Sequence, residues 1–236
     1  MVRPSKSFLY DRLESELKTL RGKVGIDAAS ADFKNRRMFK TDYYFGIDLD
    51  LSALGKGILK YNDERAVGIH ADITNLRLMP TGCADAVVST NTIYSIPADL
   101  QAKALGELCR ITSPGGRLII ETSLDLNFPE LLGVIKKYFL NVRVKYYRNP
   151  ISRFYEWLFE KHGYLGNHPI AGRRPFRLFA WLVSRLEYLT FGVKAGNRHA
   201  FITAHSKIDN EKNALDFSVL PRSNHRIIDL TNSNAS

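Results

Sequence analysis

Cysteine is scarce: the 236 residues include two, Cys83 and Cys109. Two thiols cannot supply the several cross-links of a small disulfide-built scaffold. No Cys-x-x-Cys or His-x-x-x-His spacing occurs, so no structural zinc or other metal site is expected. Long apolar runs are missing too. Nowhere do about 18 uncharged apolar residues follow one another, which excludes a bilayer-spanning helix. The opening stretch MVRPSKSFLYDRLESELK has no apolar h-region, so no signal peptide is expected there. Together these absences point to a reducing, cytoplasmic compartment. What remains is a chain with 44% apolar and 25% charged residues. That is too apolar for a disordered chain and long enough for one large domain with an insertion.

Positive charge is concentrated in one stretch. Residues 1–142 hold 19 Lys/Arg against 17 Asp/Glu, residues 143–198 hold 11 against 3, and residues 199–236 hold 4 of each. The stretch 146–191 also carries 12 of the chain's 26 aromatic residues, including Trp157 and Trp181. The chain therefore divides into a near-neutral body over 1–206, a basic-aromatic insertion over 148–197 within it, and a polar tail over 207–236.

The body alternates two periodicities. Apolar strand-like runs fall at 24–29, 43–50, 66–73, 84–93, 116–123, 141–147 and 198–206. Helical patterns fall at 13–22, 52–61, 97–112 and 128–140, with Ser52 a candidate N-cap. The run Ser113-Pro114-Gly115-Gly116 reads as a turn into the fifth strand. Strands alternating with helices predict an α/β, Rossmann-like fold: a seven-stranded, mostly parallel sheet with helices on both faces. In the tail, FSVL or RIIDL is expected to dock on the body.

Ligands on such sheets bind beyond the carboxyl ends of the strands. Three of the first four strand ends here begin with an aspartate. Asp48, with Leu49 beside it, ends the second strand and can accept two hydroxyl protons from a ribose. Asp72 after the third can accept from an exocyclic amine, with Ile73 against the ring. After the first strand, Asp27-Ala28-Ala29-Ser30-Ala31 supplies the small residues that let backbone approach a ligand closely.

The order VGIDAAS, GIDLD, HADI, DAVVSTNTIYSI and LGELCRITSPGGRLIIETS resembles class I S-adenosylmethionine-dependent methyltransferases of the methyltransferase type 11 kind, over roughly residues 24–123. Asp27, then Phe39 and the run Tyr44-Phe45-Gly46-Ile47-Asp48, is similar in spacing to a subgroup often found with polysaccharide-assembly enzymes. Lys34-Asn35 stands where that subgroup has Pro-Tyr. The resemblance implies S-adenosylmethionine as cofactor. The implied site residues are Asp27, Ala29, Ser30 and Ala31 in the first loop, Asp48 and Leu49 after the second strand, Asp72 and Ile73 after the third, and Thr90 after the fourth. The family's first motif has glycines where this chain has Ala29, Ala31 and Phe33. A side chain there costs little unless the backbone needs φ > 0, where the penalty is about 1 kcal/mol or more.

The insertion begins with a helix from Pro150 to about Gly163, followed by the loop GYLGNHPIAGRR and a second helical pattern over 175–191. On the second helix Arg177, Trp181, Ser184 and Tyr188 share one face, while Phe176, Phe179, Leu182, Val183, Leu186 and Leu189 fill the other. Three readings stand side by side. The helix is a lid burying its apolar face on the body, an interfacial helix giving peripheral contact with the inner face of the membrane through 150–191, or an RNA-binding surface.

Methyl transfer needs alignment, and a base if the acceptor is a hydroxyl. No histidine follows the fourth strand. Tyr94 and His162 are the candidates for positioning or activating an acceptor; His168, His199, His205, Glu121 and Asp125 are further titratable groups. The absence of an Asn-Pro-Pro-Tyr-like run favours a hydroxyl or carboxyl of a glycan, lipid-linked or small-molecule acceptor over a nucleic-acid amine. The alternatives are a non-catalytic methyltransferase-like scaffold and an RNA methyltransferase.

Overall fold

The computed structural model describes residues 3–159, 174–215 and 226–231. Its elements, in chain order, are α1 (Pro4–Lys18), β1 (Val24–Ala28), β2 (Tyr43–Asp48), α2 (Leu51–Tyr61), β3 (Ala66–His70), β4 (Ala84–Ser89) and α3 (Ala98–Ile111). There follow β5 (Thr112–Ser123), α4 (Phe128–Tyr138), β6 (Phe139–Tyr147), α5 (Pro150–Phe159), α6 (Arg174–Thr190), β7 (His199–Lys207) and β8 (Ile227–Asp229). The strands form one sheet in the order β6-β7-β5-β4-β1-β2-β3-β8. The Rossmann-like α/β fold expected from the alternation is present, with eight strands rather than seven. The additional strand is the RIIDL piece of the tail: Gly68, Ile69 and His70 pair in parallel with Ile227, Ile228 and Asp229. FSVL lies outside the described residues.

The chain forms two compact units. One comprises Glu16–Arg143 with Ile202–Ser236, the other Met1–Ser15 with Val144–Phe201. The insertion expected over 148–197 thus belongs to a unit that includes the first fifteen residues.

In the larger unit β1 lies between β2 and β4, all parallel, with Ala28 opposite both Ile47 and Ser89. On the far side of β2, Asp48 is opposite His70 of β3. This register brings the carboxyl ends of four strands level, and it follows from the buried apolar runs of β1, β2 and β4, which leave each strand one favourable alignment. Asp50, not Ser52, caps α2, accepting from the Ala53 N–H at 3.0 Å. The cap falls one residue before the helix, where the side chain can reach the first free N–H groups. The Ser113–Gly116 run is not a turn before β5 but part of it. Ala84 pairs with Thr112 and Ala86 with Arg117, so the extra residues are absorbed as a bulge.

In the smaller unit, Phe8 of α1 is buried edge-on against Tyr188 and Phe191, with ring centroids at 4.7 and 5.0 Å. Helices α5 and α6 pack through Tyr155, Phe159, Ala180 and Val183. Two carboxylates are buried with them. Glu156 accepts from the Ser5 N–H at 3.0 Å and from Arg148 Nε at 3.1 Å. Glu187 accepts from the main-chain N–H groups of Arg148 and Asn149, at 2.9 and 3.1 Å. Burial raises the Glu187 carboxyl above its ordinary value, against the pull of those donors.

Candidate functional site

The first loop crosses from β1 toward α2 in an unusual backbone conformation. Ala29, Ala31 and Phe33 all have positive φ, at 56°, 49° and 60°. These are the three positions where the resemblance places glycine, and the backbone does require the left-handed region there. Each Cβ costs roughly 1–2 kcal/mol in that region. The loop is held by cross-bonds to the end of β2: Ser30 N–H donates to the Ile47 carbonyl at 2.9 Å, and Ala31 N–H donates to Asp48 Oδ2 at 2.8 Å. Asp48 Oδ1 accepts from the Asp50 N–H at 2.9 Å. The carboxylate is therefore fixed by two backbone donors, and each oxygen keeps a further lone-pair direction.

Phe33 adds the compensation. Its ring is fully buried and edge-on to Tyr44 at 5.1 Å, in space that Gly46 and Gly57 leave open. A Cβ on Gly46 would stand 2.4 Å from the ring, and one on Gly57 2.6 Å. A side chain at the glycine position is accommodated by glycines at two others.

A cleft of about 280 Å³ opens beyond the strand ends, lined by Ala29, Asp48, Leu49, Asp72 and Ile73 among others. Five of the expected binding residues thus share one concave surface. Asp72 holds its own turn, accepting from the Thr74 N–H at 2.8 Å. The opposite wall comes from the segment after β4: Thr92, Ser95, Ile96, Pro97 and Leu100. Residue patterns single out Thr90 and Tyr94 in this segment, and neither lines the cleft. The apolar residues Ile96, Pro97 and Leu100 read as the start of α3, and no local signal marks them as wall. Phe33 is not part of the lining.

The other expected residues are placed elsewhere. Asp27 is wholly buried and does not line the cleft. Its Oδ1 accepts from Asn35 Nδ2 at 3.0 Å and its Oδ2 from the Tyr44 hydroxyl at 2.8 Å. Burial raises its carboxyl above the ordinary value, while Lys34, Asn35 and Tyr44 pull the other way. Lys34 and Asn35, where the chain departs from the subgroup pattern, are thus part of the bracing of this loop. Lys34 Nζ donates to the Thr90 carbonyl at 3.1 Å, tying the loop to the end of β4. Ser30 and Thr90 have buried side chains outside the lining, and Ala31 contributes its N–H to Asp48 rather than a surface to the cleft. Tyr94 sits on a 3-10 turn, Ile93–Ser95, its hydroxyl 3.3 Å from Asn91 Oδ1. Glu121 is buried and accepts from the Asn91 N–H at 2.7 Å. Asp125 accepts from the Asn127 N–H at the start of α4. His162 and His168 lie outside the described residues. Among the described residues there is no group of three or more His, Cys, Asp or Glu that could hold a metal, and no helix is long and apolar enough to cross a membrane.

Residues 24–120 match a family model described as a methyltransferase domain. No curated protein matches the sequence. Among solved structures, the cyclase SpnF is similar at 14% identity, covering 85% of this chain and 81% of that one, with a TM-score of 0.57. Phosphoethanolamine N-methyltransferase 2 of Haemonchus contortus, in complex with S-adenosyl-L-methionine, is similar at 16% identity, covering 84% of this chain and 52% of that one, with a TM-score of 0.54. Geranyl diphosphate C-methyltransferase of Streptomyces coelicolor A3(2), in complex with geranyl diphosphate and S-adenosyl-L-homocysteine, is similar at 12% identity, covering 85% and 80%, with a TM-score of 0.54. At these identities the likeness is one of fold, and the presence of a cyclase shows that this fold carries more than one chemistry. The family itself uses S-adenosylmethionine. Over residues 24–120, under half of the chain, the sequence is therefore similar to methyltransferase domains of the class I, S-adenosylmethionine-dependent kind, and the fold agrees.

Proposed function

We propose that the cleft binds S-adenosylmethionine and that the chain transfers its methyl group to a hydroxyl or carboxyl of a glycan, lipid-linked or small-molecule acceptor. The observation that carries this reading is the meeting of Ala29, Asp48, Asp72 and Ile73 on one cleft wall. The donor set fits a nucleoside. Asp48, fixed by two N–H donors, presents acceptor capacity to two adjacent ribose hydroxyls. Asp72 accepts from the adenine amine, and Ile73 offers an apolar surface to the ring. When bound, the cofactor supplies an electrophilic methyl group on a sulfonium.

The described lining of the cleft bears on the acceptor class. Among the described residues, its titratable side chains are Asp48 and Asp72, and both are assigned to the nucleoside. Tyr94, the other candidate of this segment, lies outside the lining, its hydroxyl 3.3 Å from Asn91 Oδ1. A carboxylate acceptor is already ionised at neutral pH and needs no base, whereas a hydroxyl does. The described lining therefore suits a carboxylate better than a hydroxyl.

The test has two stages. Protein purified without added cofactor is denatured, and the released material is searched for S-adenosylmethionine or S-adenosylhomocysteine by mass spectrometry. Methyl-labelled cofactor is then incubated with glycan, lipid and small-molecule extracts, and labelled product is treated with mild alkali. Release of labelled methanol marks a methyl ester and hence a carboxyl acceptor; alkali-stable label marks an ether. Absence of cofactor binding in both stages contradicts the reading. A protein that binds cofactor and transfers no label to any fraction supports a methyltransferase-like binding domain instead, a reading favoured by Ala29, which lines the cleft where the family has glycine.

A further inference from the structure

The α5–α6 pair buries two serines and two glutamates beside its apolar contact and leaves large apolar side chains exposed. Helix α5 buries Ser152 and Glu156 beside Tyr155 and Phe159, and exposes Ile151, Phe154 and Trp157 at 53%, 62% and 61%. Helix α6 buries Ala180, Val183, Ser184 and Glu187, and exposes Leu178, Leu182 and Leu189 at 60%, 49% and 78%. At 100° per residue, Phe154 and Trp157 share one side of α5, and the three leucines form one stripe along α6. Of the apolar side chains of α6, Val183 is buried and Phe176 packs against the α5–α6 core, while the leucine stripe is left exposed. A water-facing surface would not select leucine and tryptophan at these positions while the glutamates are taken inside.

Charge says what this surface meets. Among the described residues between 144 and 198, the only carboxylates are Glu156 and Glu187, and both are buried. Lys145, Arg174, Arg177, Lys194 and Arg198 are exposed. The described surface of this stretch therefore offers apolar side chains and cations, with both of its described carboxylates buried. Arg185, paired with Asp11 at 2.7 Å, lies over the Trp181 ring at 5.0 Å.

We propose that this face of α5 and α6 docks on a membrane surface carrying anionic lipid. Its leucine and tryptophan side chains enter the headgroup boundary, and its arginines and lysines meet the lipid phosphates. A second copy of the chain fits less well, because a self-matched contact sets cations against cations. Single-stranded nucleic acid could stack on the exposed rings of Phe154, Trp157 and Trp181, but it would leave the leucine stripe in water. The inference needs neither cofactor nor catalysis, so it stands or falls separately from the proposed function.

The experiment is flotation of the full chain with vesicles of phosphatidylcholine alone and of phosphatidylcholine mixed with phosphatidylglycerol. Tryptophan emission is followed in parallel, since the only two tryptophans lie on these helices. The expected result is binding to the mixed vesicles with a blue shift, weakened at roughly 1 M salt. The exposed-site variants Phe154→Ser/Trp157→Ser and Leu178→Ser/Leu189→Ser should keep the far-UV spectrum and melting temperature while partitioning falls about tenfold or more. The charge variant Arg174→Glu/Arg177→Glu should lose the preference for anionic lipid. Flotation that is absent with every vesicle, or unchanged in all three variants, overturns the proposal. So does a dimer in solution that the serine variants convert to monomer.

Discussion

Ala31 N–H donates to Asp48 Oδ2 at 2.8 Å, joining the left-handed first loop to the end of β2. One carboxylate therefore has two jobs. It holds a strained main chain in place, and it faces the cleft where a ribose is expected. The loop's shape and the site's chemistry are coupled through a single side chain. Loss of Asp48 removes both a ligand partner and the anchor of the segment beside it.

The strain in this loop can be measured. Ala31→Gly removes a Cβ from a residue at φ 49°. The relief of roughly 1–2 kcal/mol exceeds the 0.5–1 kcal/mol or so by which glycine loosens the unfolded chain. The melting temperature should rise by about 2 °C. Phe33→Gly relieves strain of the same kind at φ 60°, but it empties a buried aromatic site, a loss of about 3–5 kcal/mol. It should therefore destabilise clearly, by about 3 kcal/mol on balance. Thermal melts of the two variants check both signs. Destabilisation by Ala31→Gly would mean that its Cβ is not held against its preference.

Asp27 gives a pH dependence of defined sign. Its ordinary value is 3.8, and burial holds it higher in the folded chain. Between those two values the folded chain carries a proton that the unfolded chain has lost. The associated stability is complete below 3.8 and declines as pH rises through the folded value. Asp27→Asn cannot ionise. The stability of wild type relative to this variant should fall with rising pH and then level off, as read from urea midpoints over about pH 3–7. A difference that is flat, or that grows with pH, would contradict the buried placement of this carboxyl.

Cys83 and Cys109 are both buried. Burial pushes the Cys83 thiol up to about 11 and the Cys109 thiol well above its ordinary value. The thiolate is the reactive form. Native protein at pH 8 should thus react with a chromogenic disulfide reagent far more slowly than protein in denaturant, which should expose both thiols. Rapid labelling of one thiol in the native state would show that its surroundings open.

Much of this was legible from residue patterns. The alternation of strand and helix runs identified the fold because parallel strands buried on both faces leave continuous apolar segments. The aspartates at 48 and 72 could be placed at the cleft because a strand end is a position that topology defines. Asp27 looked equivalent but is not. Whether a strand-end carboxylate turns toward the cleft or away from it depends on distant partners, here Asn35 and Tyr44, and no local pattern encodes them. Ser113–Gly116 read as a turn because proline and glycine punctuate chains, yet a neighbouring strand can absorb such a run as a bulge. The three-residue β8 was too short to carry a period of its own. On α6, composition alone could not say which face is buried, since Glu187 goes inside only because two main-chain N–H groups meet it there.

The central claim is that Asp48 and Asp72 together hold the nucleoside of the methyl donor. It is tested most directly by calorimetric titration of S-adenosylhomocysteine into wild type, Asp48→Ala and Asp72→Ala, each checked for native far-UV signal. Wild type should bind with one site per chain. Asp48→Ala, which removes a carboxylate that accepts charge-assisted hydrogen bonds, should weaken binding by roughly 2 kcal/mol or more, and Asp72→Ala by about 1 kcal/mol. Binding of equal strength in all three proteins, or no heat with correctly folded wild type, would contradict the account.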